Sequence, residues 1–209
     1  VTNRGTYLGL TEPNKNGGLS HIKALGVNAV EFLPIQEFAY FEPPFNDSSL
    51  LSSLGVINTW NPYSKNHWGY MSRAFFAPHS YYASDGSFEN NQWSGLQGKA
   101  SVELKQLINT LHKNNIAVIL DIVFNHVSEY DDNPLKAADM NYYFRRNEHG
   151  QFTSFSGCGN DSKTEAPMFR KLILDCIQMW MKEYHIDGFR FDLATMIDEQ
   201  TLIEITNTA

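Results

Sequence analysis

Cysteine is nearly absent. Cys158, in a glycine-rich stretch, and Cys176, inside a helical pattern, are the two in 209 residues, and they make neither a disulfide framework nor a metal motif. Basic charge is scarce too: 16 Lys and Arg face 23 Asp and Glu, a net charge of −7. That deficit argues against nucleic-acid binding and against docking on an anionic membrane. No apolar run approaches the ~20 residues a membrane-spanning helix needs. A cleavable signal pattern is missing, but so is an initiator Met, since the chain opens at Val1; localisation stays open. Internal repeats and linker-like stretches are also missing, so nothing divides the chain in two. Two short matches to the glycosylation sequon, at Asn46 and Asn160, carry no weight. What is present in quantity is aromatic: 14 Phe, 10 Tyr and 4 Trp within a 42% hydrophobic composition suit a packed core rather than disorder.

The pattern alternates between helix and strand. Residues 17–25 read as a short amphipathic helix stopped by Gly26, and 27–35 as a buried strand ending near Pro34. Ser101 is expected to cap a helix with Val102, Leu104, Leu107, Ile108 and Leu111 on its apolar stripe. Residues 116–124 form a near-continuous apolar run, expected of a parallel strand covered on both faces. The steadiest helical repeat spans about 166–184, with Pro167 in its first turn and Phe169, Leu172, Ile173, Cys176, Ile177, Trp180 and Tyr184 on one stripe. A strand over 187–193 closes the series. Such alternation predicts an α/β fold with a parallel sheet.

Two segments, about 36–100 and 128–164, leave the C-terminal ends of strands and are unusually long for loops, which favours a functional role. Ligands of parallel α/β folds sit at those strand ends. The first segment holds Phe38, Tyr40, Phe41, Phe45, Trp60, Tyr63, Trp68, Tyr70, Phe75, Phe76, Tyr81, Tyr82, Phe88 and Trp93. Rings in that number can stack on sugar faces, although packing of the segment against itself is the simpler expectation for most of them.

Polar residues stand out on the strands. Alternate residues of a strand share a face, so Ile119, Asp121, Val123 and Asn125 lie together, with His126 just past the end. In 187–193 the two Phe rings share one face, while Arg190 and Asp192 share the other. One buried Asp paired with one Arg would be unremarkable structure. Carboxylates and hydrogen-bonding partners at the ends of two strands are costly to bury unless paired and useful, and together they point to an active site.

These residues carry a resemblance. D-I-V-F-N-H (121–126) and G-F-R-F-D-L (188–193) resemble the first and second signature motifs of the α-amylase superfamily of glycoside hydrolases and transglycosidases. N-H-W-G-Y (66–70) is similar to that superfamily's aromatic sugar platform, and E-F-L-P-I (31–35) to its second barrel strand. V-E-F-L-P-I-Q-E-F and W-G-Y-M-S-R-A-F-F-A-P resemble the isoamylase and glycogen-debranching group, whereas G-C-G-N-D and E-Y-H-I-D-G-F-R-F-D-L look more like type I pullulanase.

The resemblance implies that Asp192 is a catalytic nucleophile, with Arg190 beside it keeping the carboxylate ionised and oriented. His126 would hydrogen-bond the sugar, Tyr70 would stack beneath it with Trp68 nearby, and Asp121 and Asn125 would brace the site. Calcium-dependent members use the Asn equivalent as a metal ligand, but debranching relatives often lack that site, so calcium is left open and no other cofactor is expected.

A retaining glycosidase needs a second carboxylate, about 5–5.5 Å from the first. The family carries that Glu on the fifth strand of a (β/α)8 TIM barrel, and a further substrate-binding Asp on the seventh. A full barrel takes about 250 residues. Residues 1–209 are therefore expected to be a partial catalytic domain, about strands 2 to 4 with long βα loops, without the first strand and strands 5–8. The expected activity is retaining hydrolysis of α-1,6 branches in glycogen, amylopectin or pullulan, by the full-length parent rather than by this part alone. A transglycosidase and a non-catalytic glucan-binding relative are the alternatives. The expected partner is an α-glucan, with association through exposed barrel edges.

Overall fold

The computed structural model describes residues 2–13, 16–38, 68–84, 88–89, 92–93, 97–128 and 133–208. Two short helices come first, α1 (Tyr7–Thr11) and α2 (Leu19–Ala24), followed by strands β1 (Ala29–Phe32), β2 (Gln36–Phe38) and β3 (Ser72–Pro78). A small hairpin, β4 (Phe88–Glu89) with β5 (Gln92–Trp93), precedes α3 (Lys99–His112) and β6 (Ala117–Ile122). Then come α4 (Pro134–Tyr143), α5 (Pro167–Tyr184), β7 (Gly188–Phe191) and α6 (Glu199–Thr208).

The expected parallel sheet is there: β1, β6 and β7 lie side by side in that order. Ala29 to Phe32 run opposite Ala117 to Leu120, and Ile119 to Ile122 run opposite Gly188 to Phe191. This register seats Asp121 directly beside Arg190.

Burial follows the alternation within each strand. Val118, Leu120 and Ile122 point into the core with α3 and α5, and Phe189 and Phe191 pack on the same side. The stripe of α5 is buried as its repeat predicts, from Phe169 through Ile173, Cys176, Ile177 and Trp180 to Tyr184. Pro167 fits the first turn of α5, where no backbone donor is needed. His185, left-handed at φ 57°, ends it.

Three expectations need correction. Ser101 does not cap α3: Gly98, at φ 67°, precedes the helix, and Ser101 lies inside it, accepting a hydrogen bond from the Tyr184 hydroxyl. Val102 falls off the stripe and is 65% exposed, because Ala100, Leu104, Leu107, Ile108 and Leu111 make the buried face. The opposite face of the sheet is covered only in part by the described residues: Asp121 is buried, but Arg190, expected on a buried face, keeps 46% of its side chain exposed.

The long segments also contain structure that patterning did not reveal. β2 and β3 pair antiparallel, and α4 rises within residues 128–164. Of the aromatic residues, Phe38 and Phe75 are buried and Tyr82 packs on the core, whereas Trp68 is 70% exposed. Tyr40, Phe41, Phe45, Trp60 and Tyr63 lie outside the described residues, as do Asn46, Asn66, His67 and the side chains of Phe88 and Trp93. No described helix is long and apolar enough to cross a membrane.

Candidate active site

The sheet register delivers the polar residues to one place. Arg190 donates through Nη1 to both carboxylate oxygens of Asp121 at 2.9 Å, and to Oδ1 of Asp192 at 3.1 Å. One guanidinium nitrogen thus bridges two acids on adjacent strands. Asp121 is 2% exposed and takes a further bond, at 2.5 Å, from the Tyr70 hydroxyl. A buried carboxylate is tolerable when it is both charge-paired and hydrogen-bonded, and Asp121 is both. The hydrogen bonds and charge of Asp121, with Asp192 beside it, raise the pKa of Arg190 further and keep it cationic. Burial, then the bond and charge of Asp121, push the Tyr70 hydroxyl up to about 12, so it stays a donor at neutral pH.

A second route joins the same residues. Asn125 donates through Nδ2 to the backbone oxygen of Asp192 at 2.9 Å and to its Oδ2 at 3.1 Å. Its Oδ1 therefore faces Nδ1 of His126, 2.5 Å away. Nε2 of His126 lies 2.6 Å from the Tyr70 carbonyl; both facing oxygens only accept, so the two contacts are hydrogen bonds together when both ring nitrogens carry a proton. Burial lowers the pKa of His126, against the opposing pull of that carbonyl and of the charges on Asp192 and Asp161. The two routes close a circuit: Tyr70, Asp121, Arg190, Asp192, Asn125, His126 and back to Tyr70.

All seven predicted residues lie on this circuit or next to it. Trp68 sits beside Tyr70, ring centroids 6.5 Å apart and planes inclined at 53°. His126 is placed differently from expectation. It is 2% exposed with both nitrogens engaged, so a direct bond to a sugar requires Nε2 to leave the Tyr70 carbonyl.

Asn160 was missed as a site residue. Buried to 1%, it accepts from the backbone N–H of Val127 at 2.8 Å and donates to the Val127 carbonyl at 2.9 Å. Its carboxamide pairs as a neighbouring strand would, fixing the main chain just after His126. Ser162 adds a backbone bond to the Asn125 carbonyl at 2.9 Å. Only its place inside G-C-G-N-D hinted at any of this. Asp161 braces the loop, accepting from Phe155 N, Ser156 N and Ser156 Oγ at 2.7, 2.9 and 2.6 Å. A cavity of about 810 Å³ lies not against the acids but on the β1 side, lined by Arg4, Tyr7, Glu31, Pro34 and Tyr82 among others.

No family model matches the chain. Pullulanase of Bacillus subtilis (strain 168) is 37% identical over 215 residues, a match covering 100% of this chain and 27% of the pullulanase. Isoamylase 3, chloroplastic, of Oryza sativa subsp. japonica is 41% identical over 207 residues, covering 94% of this chain and 23% of that protein. The crystal structure of pullulanase from Paenibacillus barengoltzii, in complex with maltohexaose and α-cyclodextrin, matches with a TM-score of 0.78 at 34% identity, over 98% of this chain and 29% of that one. The chain spans about a quarter of the length of the relatives it matches. By sequence and by fold, its homologues are pullulanases and isoamylases, debranching enzymes of the α-amylase superfamily.

Proposed function

We propose that residues 1–209 are part of a retaining glycoside hydrolase that cleaves α-1,6 branch linkages in α-glucans such as glycogen, amylopectin or pullulan. The observation that carries this reading is the Arg190 bridge between Asp121 and Asp192 at the ends of adjacent parallel strands. Kinship with pullulanases and isoamylases supports the linkage, and the maltohexaose bound by the Paenibacillus barengoltzii pullulanase supports an α-glucan ligand.

In this reading β1, β6 and β7 are the second, third and fourth strands of a (β/α)8 barrel. The face of the sheet that carries Arg190 looks into the barrel. The acid/base Glu, expected on the fifth strand, belongs to the rest of a longer protein, so this part alone is inactive. Asp192 attacks the anomeric carbon, its carboxylate aimed by Arg190 Nη1 and Asn125 Nδ2. A covalent glycosyl-enzyme forms, the Glu protonates the departing oxygen and then activates water, and the anomeric configuration is retained. The rings of Tyr70 and Trp68 hold the sugar face, and His126 fixes the Tyr70 main chain beneath it.

The test is Asp192→Asn in the full-length protein, which keeps the shape and removes the attacking charge. Turnover of pullulan and glycogen should fall by about 10⁴-fold or more while maltohexaose still binds. Near-normal turnover would assign the chemistry to another carboxylate, and an inverted product anomer would overturn the reaction class.

A further inference from the structure

Gly69 stands between exposed Trp68 and half-buried Tyr70, and it is constrained twice. Its φ is +79°, a left-handed value that most side chains avoid. A Cβ added there would lie 2.2 Å from the Pro34 carbonyl oxygen and 3.1 Å from both the Pro34 carbonyl carbon and Cβ. Of the glycines described, Gly69 alone combines a positive φ with such a collision.

Pro34 is a fixed stop. It follows β1, whose last residue Phe32 is in register with Leu120 of β6, and it precedes Ile35, whose carbonyl accepts from His79 N at 2.7 Å. The obstructing atom is backbone, so it cannot rotate out of the way as a side chain would. On its other side, Tyr70 is tied to Asp121 through its hydroxyl and to His126 through its carbonyl. The Tyr70 ring is therefore wedged between the end of β1 and the acids on β6 and β7.

We propose that Gly69 is a positioning residue, whose close seating on the Pro34 carbonyl sets the position of the Tyr70 ring relative to the Asp121–Arg190–Asp192 cluster. The proposal rests on the reading of Tyr70 as the sugar platform. Opening the contact from 2.2 Å to the roughly 3.3 Å of an ordinary C···O approach moves the segment by about 1 Å. Displacements of that size cost up to about 100-fold in rate.

Two substitutions separate the contact from the backbone angle. Asn tolerates left-handed φ far better than Ala, yet both add a Cβ facing Pro34. In the full-length protein carrying Asp192→Asn, the dissociation constant for maltohexaose is measured for Gly69→Ala, Gly69→Asn and Tyr70→Ala, with thermal melts alongside. The proposal expects Gly69→Asn to weaken binding about tenfold, approaching Tyr70→Ala. Adding Pro34→Gly, which frees the carbonyl to swing aside, should restore at least about threefold of that loss. Strain confined to position 69 would not respond to position 34. Wild-type affinity in Gly69→Asn overturns the proposal while leaving the platform intact. Wild-type affinity in Tyr70→Ala overturns the platform reading and the proposal with it. If Gly69→Asn does not fold, Pro34→Gly alone decides: it should weaken binding about threefold, and an unchanged constant overturns the proposal.

Discussion

Tyr70 divides its work among separate atoms: its hydroxyl donates to Asp121, its carbonyl accepts from His126, and in the proposed function its ring meets the ligand. Tyr70→Phe separates the first role from the last. A hydrogen bond to a charged acceptor contributes about 1.5–3 kcal/mol, and partial access of water to this hydroxyl brings the expected loss toward the low end. In the full-length enzyme kcat/KM should fall about tenfold, while maltohexaose affinity stays within about twofold of wild type. A larger loss of affinity than of turnover would mean that the hydroxyl, not the ring, holds the ligand. At this scale the acids and their partner were legible in the sequence. Period-two alternation puts Asp121 and Asn125 on one face of one strand, and Arg190 and Asp192 on one face of the next. Asn160 was not legible, because its partners are the main-chain atoms of Val127, far away in the chain, and no periodicity marks a lone carboxamide in a loop.

Among the elements, those with long repeats could be read and those made by caps could not. The α5 stripe repeats through five turns and was placed almost to the residue. Helix α4 has no such stripe. Its start is local chemistry: Asn133 accepts from Leu135 N, followed by Pro134 in the first turn. Helix α6 begins in the same manner, with Asp198 accepting from Thr201 N. The loop over 153–162 is likewise built by one side chain. Burial opposes ionisation of Asp161, but the bonds from Ser156 and Phe155 outweigh it and lower the pKa below the ordinary 3.8. A carboxylate with a depressed folded-state pKa adds stability that is complete above its unfolded value and fades as pH falls through the folded one. The loop should therefore hold above about pH 4 and loosen as the pH drops further. Hydrogen exchange at the Phe155 and Ser156 amides should report this before the β6 amides respond. Asp161→Asn should speed exchange at those two amides already at neutral pH, and equal protection in wild type and variant would show that the charge is not what folds the loop.

At the scale of the molecule, the three-stranded sheet leaves the outer edges of β1 and β7 without a strand partner among the described residues. Unpaired edges are templates for another chain, and Leu33 and Leu193, 51% and 43% exposed, lie at the strand ends. Residues 1–209 expressed alone should self-associate, visible as a sedimentation coefficient that rises with concentration; a monodisperse monomer with a cooperative melt would contradict this. The parallel order could be inferred from the alternation of helix and strand. The exposure of Arg190 could not, because Arg190 on a strand looks the same in sequence whether or not a further layer covers it. One consequence of the polar circuit joining Tyr70 to Asp192 remains. Being closed, it is redundant: a single cut leaves a chain whose two ends are still connected. Removing the Tyr70 hydroxyl leaves the route through His126 and Asn125, and removing the Asn125 carboxamide leaves the route through Asp121 and Arg190. Either loss alone leaves one route standing, but the two together sever platform from nucleophile, so their effects should compound to more than their sum. Such a site is weakened by one substitution and fails at the second.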